Sequence, residues 1–327
     1  MSGTGKIRNM MARMVGLFEA GSIHTIGFFV RLMPASLAYG FARILGAAVY
    51  ALDATHRKIT HDNLLLVYGA EMPVSERRKI ARSMFCHMAM NAIEFLRIPL
   101  IKKKKLDEIV SIEGRDNLDS VLKKGKGAIF ISGHFGNWEL LGPLGSLLGV
   151  NISLVVQPIK AQSQVDDIVT AYRSFHGTGI IRKKMAALPI MRQLARGNCV
   201  GILIDQRTRR NAVMLDFLGH PASMTTVPAE IAARNGTPVM PVFALRDRPG
   251  HIKLIFGKEI EIRKTSDPEA DAIENTRRFQ KVIEDQIRAY PEQWLWAHER
   301  WKQPKPRHLR GYFQAQQENH RQPTLAD

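Results

Sequence analysis

Residues 127–139 read GAIFISGHFGNWE, and this stretch decides the fold class. Its first half is short, apolar, rich in β-branched and aromatic residues and bounded by glycines, a pattern typical of a buried strand. A helix is predicted to open at Gly136-Asn137, with Asn137 as its N-cap. A strand followed by a turn and a helix indicates an α/β protein. Open α/β sheets hold their ligands beyond the carboxyl ends of their strands.

Two side chains of this stretch, His134 and Glu139, can form a catalytic pair. Five residues along one helix differ by about 140° in azimuth, so they meet only if His134 lies on the loop and Glu139 in the first helical turn. The carboxylate would then orient the imidazole, whose other nitrogen accepts a proton from a hydroxyl. The alternative is a core histidine beside an ordinary first-turn carboxylate, and the spacing alone does not choose between them.

The 327 residues suffice for one large domain or two small ones with a substantial core. The two cysteines, Cys86 and Cys199, lie in apolar sequence, so they predict no disulfide framework and fit a reducing compartment. Metal-ligand motifs are missing from the sequence, so we predict neither a metal site nor a cofactor. A serine nucleophile is not predicted either, because the sequence has no G-x-S-x-G motif.

The chain has 47 Lys and Arg against 30 Asp and Glu, a net charge of +17 that implies an anionic partner. Motifs of nucleic-acid-binding proteins are missing, and the basic clusters at 102–105, 182–184 and 207–210 are separate from the aromatic residues. An anionic membrane or an acidic ligand is therefore favoured over nucleic acid.

Residues 1–52 are rich in apolar side chains, but charged residues and Pro34 interrupt them. The uncharged runs reach only about eleven residues, against 18 or more for a spanning helix. Neither a transmembrane helix nor a signal peptide is therefore predicted. Two amphipathic helices, at 10–32 and 36–50, are predicted to lie on an anionic leaflet, and a helical hairpin packed on the rest of the protein is the alternative.

Helical and strand patterns continue along the rest of the chain. A long helix is predicted over 75–96, and strands and helices then alternate up to residue 288, starting with a βαβ unit over 109–132. The segment 291–301 closes the fold. Its tryptophans are predicted to pack on the core, with the membrane interface as the alternative.

A second group of candidates follows the predicted strand 200–204. If this strand is parallel to the strand before His134, Asp205 lies at the same edge of the sheet. Arg207 and Arg210 can bind phosphate oxygens through their guanidinium groups, although a solvated basic loop is the alternative. His220 is a second candidate base, but Asp216 is the one carboxylate near it in sequence.

Three motifs carry a family resemblance: GHFGNWE at 133–139, FLGHPA at 217–222 with Thr225-Thr226, and PEQWLW at 291–296. Together they resemble the late acyltransferases of bacterial lipid A biosynthesis, and their order extends the resemblance to about Lys302. That family is similar to glycerolphosphate acyltransferases, which have an aspartate in an H-x4-D motif.

The resemblance implies a mixed sheet flanked by helices, as in glycerolphosphate acyltransferases. It divides the chain into a membrane-associating helical layer (1–52), an acyltransferase domain (53–302) and a poorly ordered tail (303–327). The donor would be a thioester of acyl carrier protein or coenzyme A, and the acceptor a hydroxyl of a membrane lipid. The protein would lie at the cytoplasmic face of the inner membrane, as a peripheral or monotopic protein.

The resemblance also implies residue roles. His134 would act as general base and Glu139 as its orienting partner, without a covalent acyl-enzyme. The predicted substrate-binding residues are Gly133, Asn137, Asp205, Arg207, Arg210, Thr225 and Thr226.

The acceptor is the least determined part of this prediction. Arg207 stands where many family members carry a second acidic residue, and related enzymes acylate mannosylated phosphatidylinositol or other glycolipids. A lipid A precursor, another glycolipid and a lysophospholipid are therefore all candidates. Alternatives from other classes are a non-catalytic lipid-binding protein and a metal-dependent hydrolase that uses His134.

Overall fold

The computed structural model describes residues 3–69, 71–158, 163–208 and 212–302, without the side chains of residues 3–14, 17 and 163. The predicted tail therefore lies outside the described residues. The helices are α1 (Gly3–Leu32), α2 (Ala35–Leu52), α3 (Ala54–Tyr68), α4 (Val74–Leu96), α5 (Leu106–Ile109), α6 (Arg115–Lys123), α7 (Leu141–Leu147), α8 (Ser163–Ser174), α9 (Ala187–Ala195), α10 (Val227–Asn235) and α11 (Pro268–Ala289). The strands are β1 (Val110–Glu113), β2 (Ala128–Ser132), β3 (Ile152–Val156), β4 (Gly179–Arg182), β5 (Cys199–Leu203), β6 (Ala212–Phe217), β7 (His220–Thr225), β8 (Val239–Arg248) and β9 (His251–Phe256).

The N-terminal helices α1 and α2 follow each other at Pro34, and they pack on other helices, α1 on α8 and α4 and α2 on α4. Helix α2 is close to its predicted bounds, whereas α1 begins at Gly3 instead of residue 10. Helix α2 buries a stripe of small residues, Ala38, Ala42 and Gly46, against the rest of the protein. A Cβ atom at Gly46 would lie 2.6 Å from the Cα of Cys86 in α4, so only glycine permits this approach of the two backbones. Helix α3 was not predicted.

A seven-stranded mixed sheet with the order β1-β9-β8-β2-β5-β3-β4 forms the centre of the fold. Helices flank it, as the predicted fold class requires. Strands β6 and β7 form a separate antiparallel hairpin. This hairpin and the edge strand β4 were not predicted.

The predicted βαβ unit over 109–132 is wrong. Strand β1 pairs in parallel with β9, β9 runs antiparallel to β8, and β8 is parallel to β2. Strand β1 is therefore antiparallel to β2, and the strands β9 and β8 lie between them. The local pattern indicates a strand, but the partner is set by the β8–β9 hairpin, whose outer edge is free to pair with β1.

Strand β2 is buried on both faces, which explains its continuous apolar sequence. Ile129 and Ile131 pack in a core with residues of α4, α9, α10 and α11. Phe130 points to the opposite core, with residues of α6, α7 and α8. The site described below lies at the carboxyl end of this strand.

The C-terminal tryptophans belong to the core, as predicted. Trp294 and Trp296 are 2% and 0% exposed, and their ring centroids are 4.7 Å apart. Trp301 is half-buried beside them, with its indole N–H donating to the carbonyl of Phe217. The interface alternative is therefore excluded for Trp294 and Trp296.

Candidate active site

His134 and Asp205 are brought together by two neighbouring parallel strands. Strands β2 and β5 pair in parallel with Ser132 opposite Leu203, so both chains leave the sheet at the same edge. The Nδ1 atom of His134 lies 2.8 Å from Oδ1 of Asp205. The backbone N–H of His134 donates to Oδ2 of Asp205 at 2.7 Å. The expectation that Asp205 reaches the edge that carries His134 is confirmed.

The Asp205 carboxylate is 2% exposed and accepts a third hydrogen bond, from the Trp294 indole at 2.7 Å. Burial opposes its ionisation most strongly. The charge of His134 and the hydrogen bonds from His134 and Trp294 nevertheless outweigh burial and lower the pKa of Asp205 to about 2. Because an ionised carboxylate only accepts hydrogen bonds, the Nδ1 atom of His134 must carry the proton. Its Nε2 atom is then free to accept a proton from a substrate.

The loop after β2 is held by its backbone. The N–H groups of Gly136 and Asn137 donate to the carbonyls of Gln293 and Ala244, at 2.9 and 2.8 Å. With the N–H of His134 bonded to Asp205, these three amides are not available as oxyanion donors. A Cβ atom at Gly133 would lie 3.1 Å from Oδ2 of Asp205, so glycine leaves room for the carboxylate rather than for substrate.

The predicted contact between Glu139 and His134 is wrong. Glu139 lies in a short 3-10 turn, Trp138–Leu140, and binds the guanidinium of Arg173 in α8. The two hydrogen bonds are 2.7 and 2.6 Å long. Burial lowers the pKa of Arg173, but the hydrogen bonds and charge of Glu139 outweigh it and raise that pKa. Asp205 therefore occupies the orienting position that was predicted for Glu139.

Asn137 also differs from its prediction, because its side chain is fully buried and makes no N-cap hydrogen bond. Its amide nitrogen donates to Glu94 at 2.5 Å, and Glu94 forms an ion pair with Arg246. Arg246 donates in turn to the side chain of Asn91, which donates to the carbonyl of Gly136. This buried polar network holds the loop that follows β2, and Asn137 belongs to the network.

Of the remaining predicted substrate-binding residues, one lies at the cavity and two lie outside its lining. Thr225 lines the cavity next to His134. The hydroxyl of Thr226 donates to Glu230 in α10 at 2.5 Å and is buried. Arg207 donates to the carbonyl of Lys302 at 3.3 Å, close to the surface. Arg210 lies outside the described residues.

A cavity of about 320 Å³ opens at His134. Its polar lining residues are His134, Glu139, Arg173, Lys183, Gln206 and Thr225, and its apolar ones are Phe130, Leu141, Ile152, Leu154, Val242, Leu254 and Phe256. His134, Lys183 and Gln206 follow the carboxyl ends of the parallel strands β2, β4 and β5, which makes this end of the cavity polar. His220 is not part of this lining. Among the described residues, no group of three His, Cys, Asp or Glu side chains is placed to hold a metal ion.

The model of the bacterial lipid A biosynthesis acyltransferase family matches residues 15–303. The chain belongs to this family. The phosphatidylinositol mannoside acyltransferase of Mycolicibacterium smegmatis is 24% identical over 291 residues, which cover 86% of this chain and 92% of the relative. The lipid A biosynthesis palmitoleoyltransferase of Escherichia coli is 24% identical over 284 residues, which cover 84% and 90%. The protein is thus an acyltransferase, and the predicted family resemblance is confirmed.

Several residues of this lipid A acyltransferase family member were not found from its sequence. Arg173 sits among other polar residues on an amphipathic helix, and nothing in the local pattern distinguishes it. Glu94 could have been found, because it interrupts the apolar run 92–96, whereas Arg246 only ends the run 239–245 and is followed by Asp247 and Arg248. A charge at such a position requires a buried partner of opposite sign.

Proposed function

We propose that this acyltransferase moves a fatty acyl chain from an acyl-carrier-protein or coenzyme A thioester to a hydroxyl of a membrane glycolipid. A lipid A precursor is the first candidate acceptor. The observation that carries the proposal is the His134–Asp205 pair at the polar end of a cavity with an apolar body. A base beside a hydrocarbon-lined pocket suits a substrate that has a reactive carbonyl at the end of a long chain.

In the proposed reaction, Nε2 of His134 accepts the proton of the acceptor hydroxyl while its oxygen attacks the thioester carbonyl. Asp205 holds the imidazole in the required tautomer and stabilises the imidazolium that forms. When the tetrahedral intermediate collapses, the C–S bond breaks and the imidazolium returns the proton to the leaving thiolate. The products are the acyl ester and the free thiol of the carrier, and no acyl-enzyme forms.

Glu139 has a different part in this proposal. It fixes the guanidinium of Arg173 at the polar end of the cavity through two hydrogen bonds. A guanidinium held in this way places positive charge where the thioester oxygen becomes negative, without reorganisation during the reaction. Glu139 would thus act on catalysis through Arg173.

The outer face of α2 supports a membrane location. Its small residues face the protein, and large apolar side chains face outward, namely Leu37, Phe41, Ile44, Leu45, Val49 and Leu52. This is the reverse of a soluble helix, which exposes polar residues. By length and composition α2 could cross a membrane, which was not predicted from the sequence. Its close packing on α4 instead favours a peripheral or monotopic position. The cytoplasmic face of the inner membrane is the location we propose, because the thioester donors are cytoplasmic.

A mannosylated phosphatidylinositol is the second candidate acceptor. Relatives named phosphatidylinositol mannoside acyltransferase come from Mycolicibacterium smegmatis and from Mycobacterium tuberculosis, the latter 29% identical over 154 residues, 45% of this chain and 48% of the relative. Both acceptors are anionic glycolipids with free hydroxyl groups, so the same site chemistry serves either.

The test is an assay of the purified full chain with each donor and each acceptor. Acyl-carrier-protein and coenzyme A thioesters are combined with a lipid A precursor, with a phosphatidylinositol mannoside and with a lysophospholipid, and products are identified by mass spectrometry. We expect an acyl ester of one glycolipid, lost in His134→Ala. Binding of lipid without transfer would indicate a lipid-binding protein. Release of free fatty acid that disappears with chelators would indicate a metal-dependent hydrolase.

A further inference from the structure

A tight turn follows the edge strand β4 and carries an unusual residue at its tip. The N–H of Lys183 donates to the carbonyl of Val156 at 2.8 Å, and the N–H of Ala186 approaches the carbonyl of Lys183 at 3.4 Å. Between them, Met185 has a φ of 62° and is 84% exposed. The left-handed region favours glycine or asparagine over a residue with a long side chain. A methionine held there, in water, points to a use for its side chain.

Residues 183–188, called here the Met185 turn, combine apolar and basic side chains. Leu188 in the first turn of α9 is 52% exposed, while the same helix buries Ile190 and Leu194 in the core. Lys183 and Lys184 directly precede Met185 and are exposed. Exposed apolar side chains next to lysines match the two layers of an anionic leaflet, in which phosphates lie above hydrocarbon.

The Met185 turn borders the cavity at His134 and is connected to helix α1 through α8. Lys183 is part of the cavity lining. The preceding residue, Arg182, forms an ion pair of 2.7 Å with Asp166 in the first half of α8. Helix α8 in turn packs along α1, because Gly16 faces Gln164 at the start of α8. Helix α8 therefore lies between the turn and the segment of α1 around Gly16.

We propose that the Met185 turn is a second membrane contact, which inserts Met185 and Leu188 into the headgroup region of an anionic leaflet. Lys183 and Lys184 then lie at the level of the lipid phosphates. This contact, together with helices α1 and α2, places the mouth of the cavity on the surface that holds the acceptor lipid. The inference rests on the proposed function in one respect, the assignment of the outer face of α2 to lipid. On the other side of α8, Val15 and Phe18 of α1 flank Gly16 and expose further apolar side chains, which favours a leaflet over an acidic protein as the occupant.

The first test uses fluorescent probes on the full chain. In a Cys86→Ser background, the variants Met185→Cys, Phe41→Cys and Leu122→Cys are labelled with an environment-sensitive dye. Vesicles of phosphatidylcholine and phosphatidylglycerol contain lipids with a quencher near the headgroup. We expect a blue shift and quenching at 185 and 41, and neither at 122, an exposed position on α6.

The probes at the three positions distinguish the membrane contact of the Met185 turn from that of helix α2. Quenching at 41 without quenching at 185 would overturn the Met185 turn as a membrane contact and leave the proposed function intact. No quenching at either position would overturn both membrane assignments. A probe at 185 that responds to acyl carrier protein and not to vesicles would assign the turn to the donor instead.

A second test separates membrane contact from a structural role. Met185→Gly removes the apolar side chain and suits the left-handed backbone, so the variant should unfold at the same temperature or higher. Its binding to anionic vesicles should nevertheless weaken roughly tenfold, since part of a methionine side chain is no longer buried in lipid. Met185→Leu should bind like the wild type. Unchanged binding in Met185→Gly would contradict the proposal.

Discussion

His134 and Asp205 are 71 positions apart in the sequence, yet the imidazole Nδ1 and a carboxylate oxygen lie 2.8 Å apart. Each follows a central strand, and the two strands are hydrogen-bonded neighbours in parallel. The same carboxylate also accepts the backbone N–H of His134 and the indole N–H of Trp294. The imidazole is therefore fixed relative to Asp205 by a hydrogen bond from its ring nitrogen, by a second from its own backbone and by the pairing of β2 with β5.

The first prediction concerns this pair. His134→Ala should lower kcat/KM by roughly 10²-fold or more, because the acceptor hydroxyl loses its base. Asp205→Asn should also lower it strongly, because the amide can donate to Nδ1 and favour the wrong tautomer. Rates are measured with a saturating thioester donor, and circular dichroism checks that each variant is folded. Activity of Asp205→Asn close to the wild type would remove Asp205 from the mechanism.

The second prediction concerns Glu139 and Arg173. Glu139→Gln keeps the volume of the side chain but removes the charge that holds the guanidinium, and Arg173→Lys removes the two-pronged contact. If Arg173 stabilises the developing oxyanion, both variants should lower kcat with little change in KM for the donor. A raised KM with unchanged kcat would show that the pair only binds substrate. The double variant should lose little more than either single variant, since both act through one group.

The partner of His134 shows what sequence could and could not predict. The strand before His134 and the strand before Asp205 follow from apolar runs, and their common edge follows from parallel pairing. The choice between Glu139 and Asp205 does not follow, because a 3-10 turn instead of an α-helix directs Glu139 towards α8. The spacing of apolar residues does not distinguish a 3-10 turn from the first turn of an α-helix.

The prediction of the fold was limited by strand pairs whose two members are far apart in the sequence. Strand β1 was recognised from its own residues. Its partner β9 lies about 140 residues later in the sequence, with Val110 of β1 opposite Ile252 of β9. The hairpin β6–β7 was missed because the turn residues around Gly219 dominate its short sequence. Local periodicity reports which elements form, and it contains little information on which of them pair.

The third prediction concerns stability in mild acid. Burial, assisted by the charge of Arg246, lowers the pKa of His87 to about 4, from an ordinary value near 6.5. A depressed pKa means that the unfolded chain binds the proton more readily. The stability that neutral His87 contributes is therefore complete above pH 6.5 and is lost as the pH falls towards 4. The loss should be about 3 kcal/mol at full protonation.

Urea unfolding at pH 7 and pH 4.5 measures this effect. His87→Gln keeps a hydrogen-bond acceptor for Arg246 but does not titrate, so its free energy of unfolding should depend less on pH than that of the wild type. His298, whose pKa burial also lowers to about 4, remains in the variant and accounts for part of the residual slope. Identical slopes for the two proteins would contradict the assignment to His87.

The last prediction concerns the length of the acyl chain. Gly145 in α7 lines the apolar body of the cavity. A Cβ atom there would lie 3.5 Å from Cγ2 of Ile152, an ordinary contact, so alanine fits without displacing its neighbours. Larger side chains would extend into the space that we assign to the donor's hydrocarbon. Gly145→Ala should therefore shift the preferred donor to a slightly shorter chain, and Gly145→Leu should shift it further.

The measurement is a competition among thioesters of graded chain length, with the acylated products separated by mass spectrometry. Gly40→Ala is the matched control, because Gly40 is also helical and a Cβ atom there would have nothing within 4 Å of it. Both alanine variants should be at least as stable as the wild type, since alanine favours a helix over glycine by about 1 kcal/mol. Only the Gly145 variants should change the distribution of chain lengths. If Gly145→Leu lowers the rate equally for all lengths, the cavity does not hold the acyl chain, and the donor must reach His134 from elsewhere.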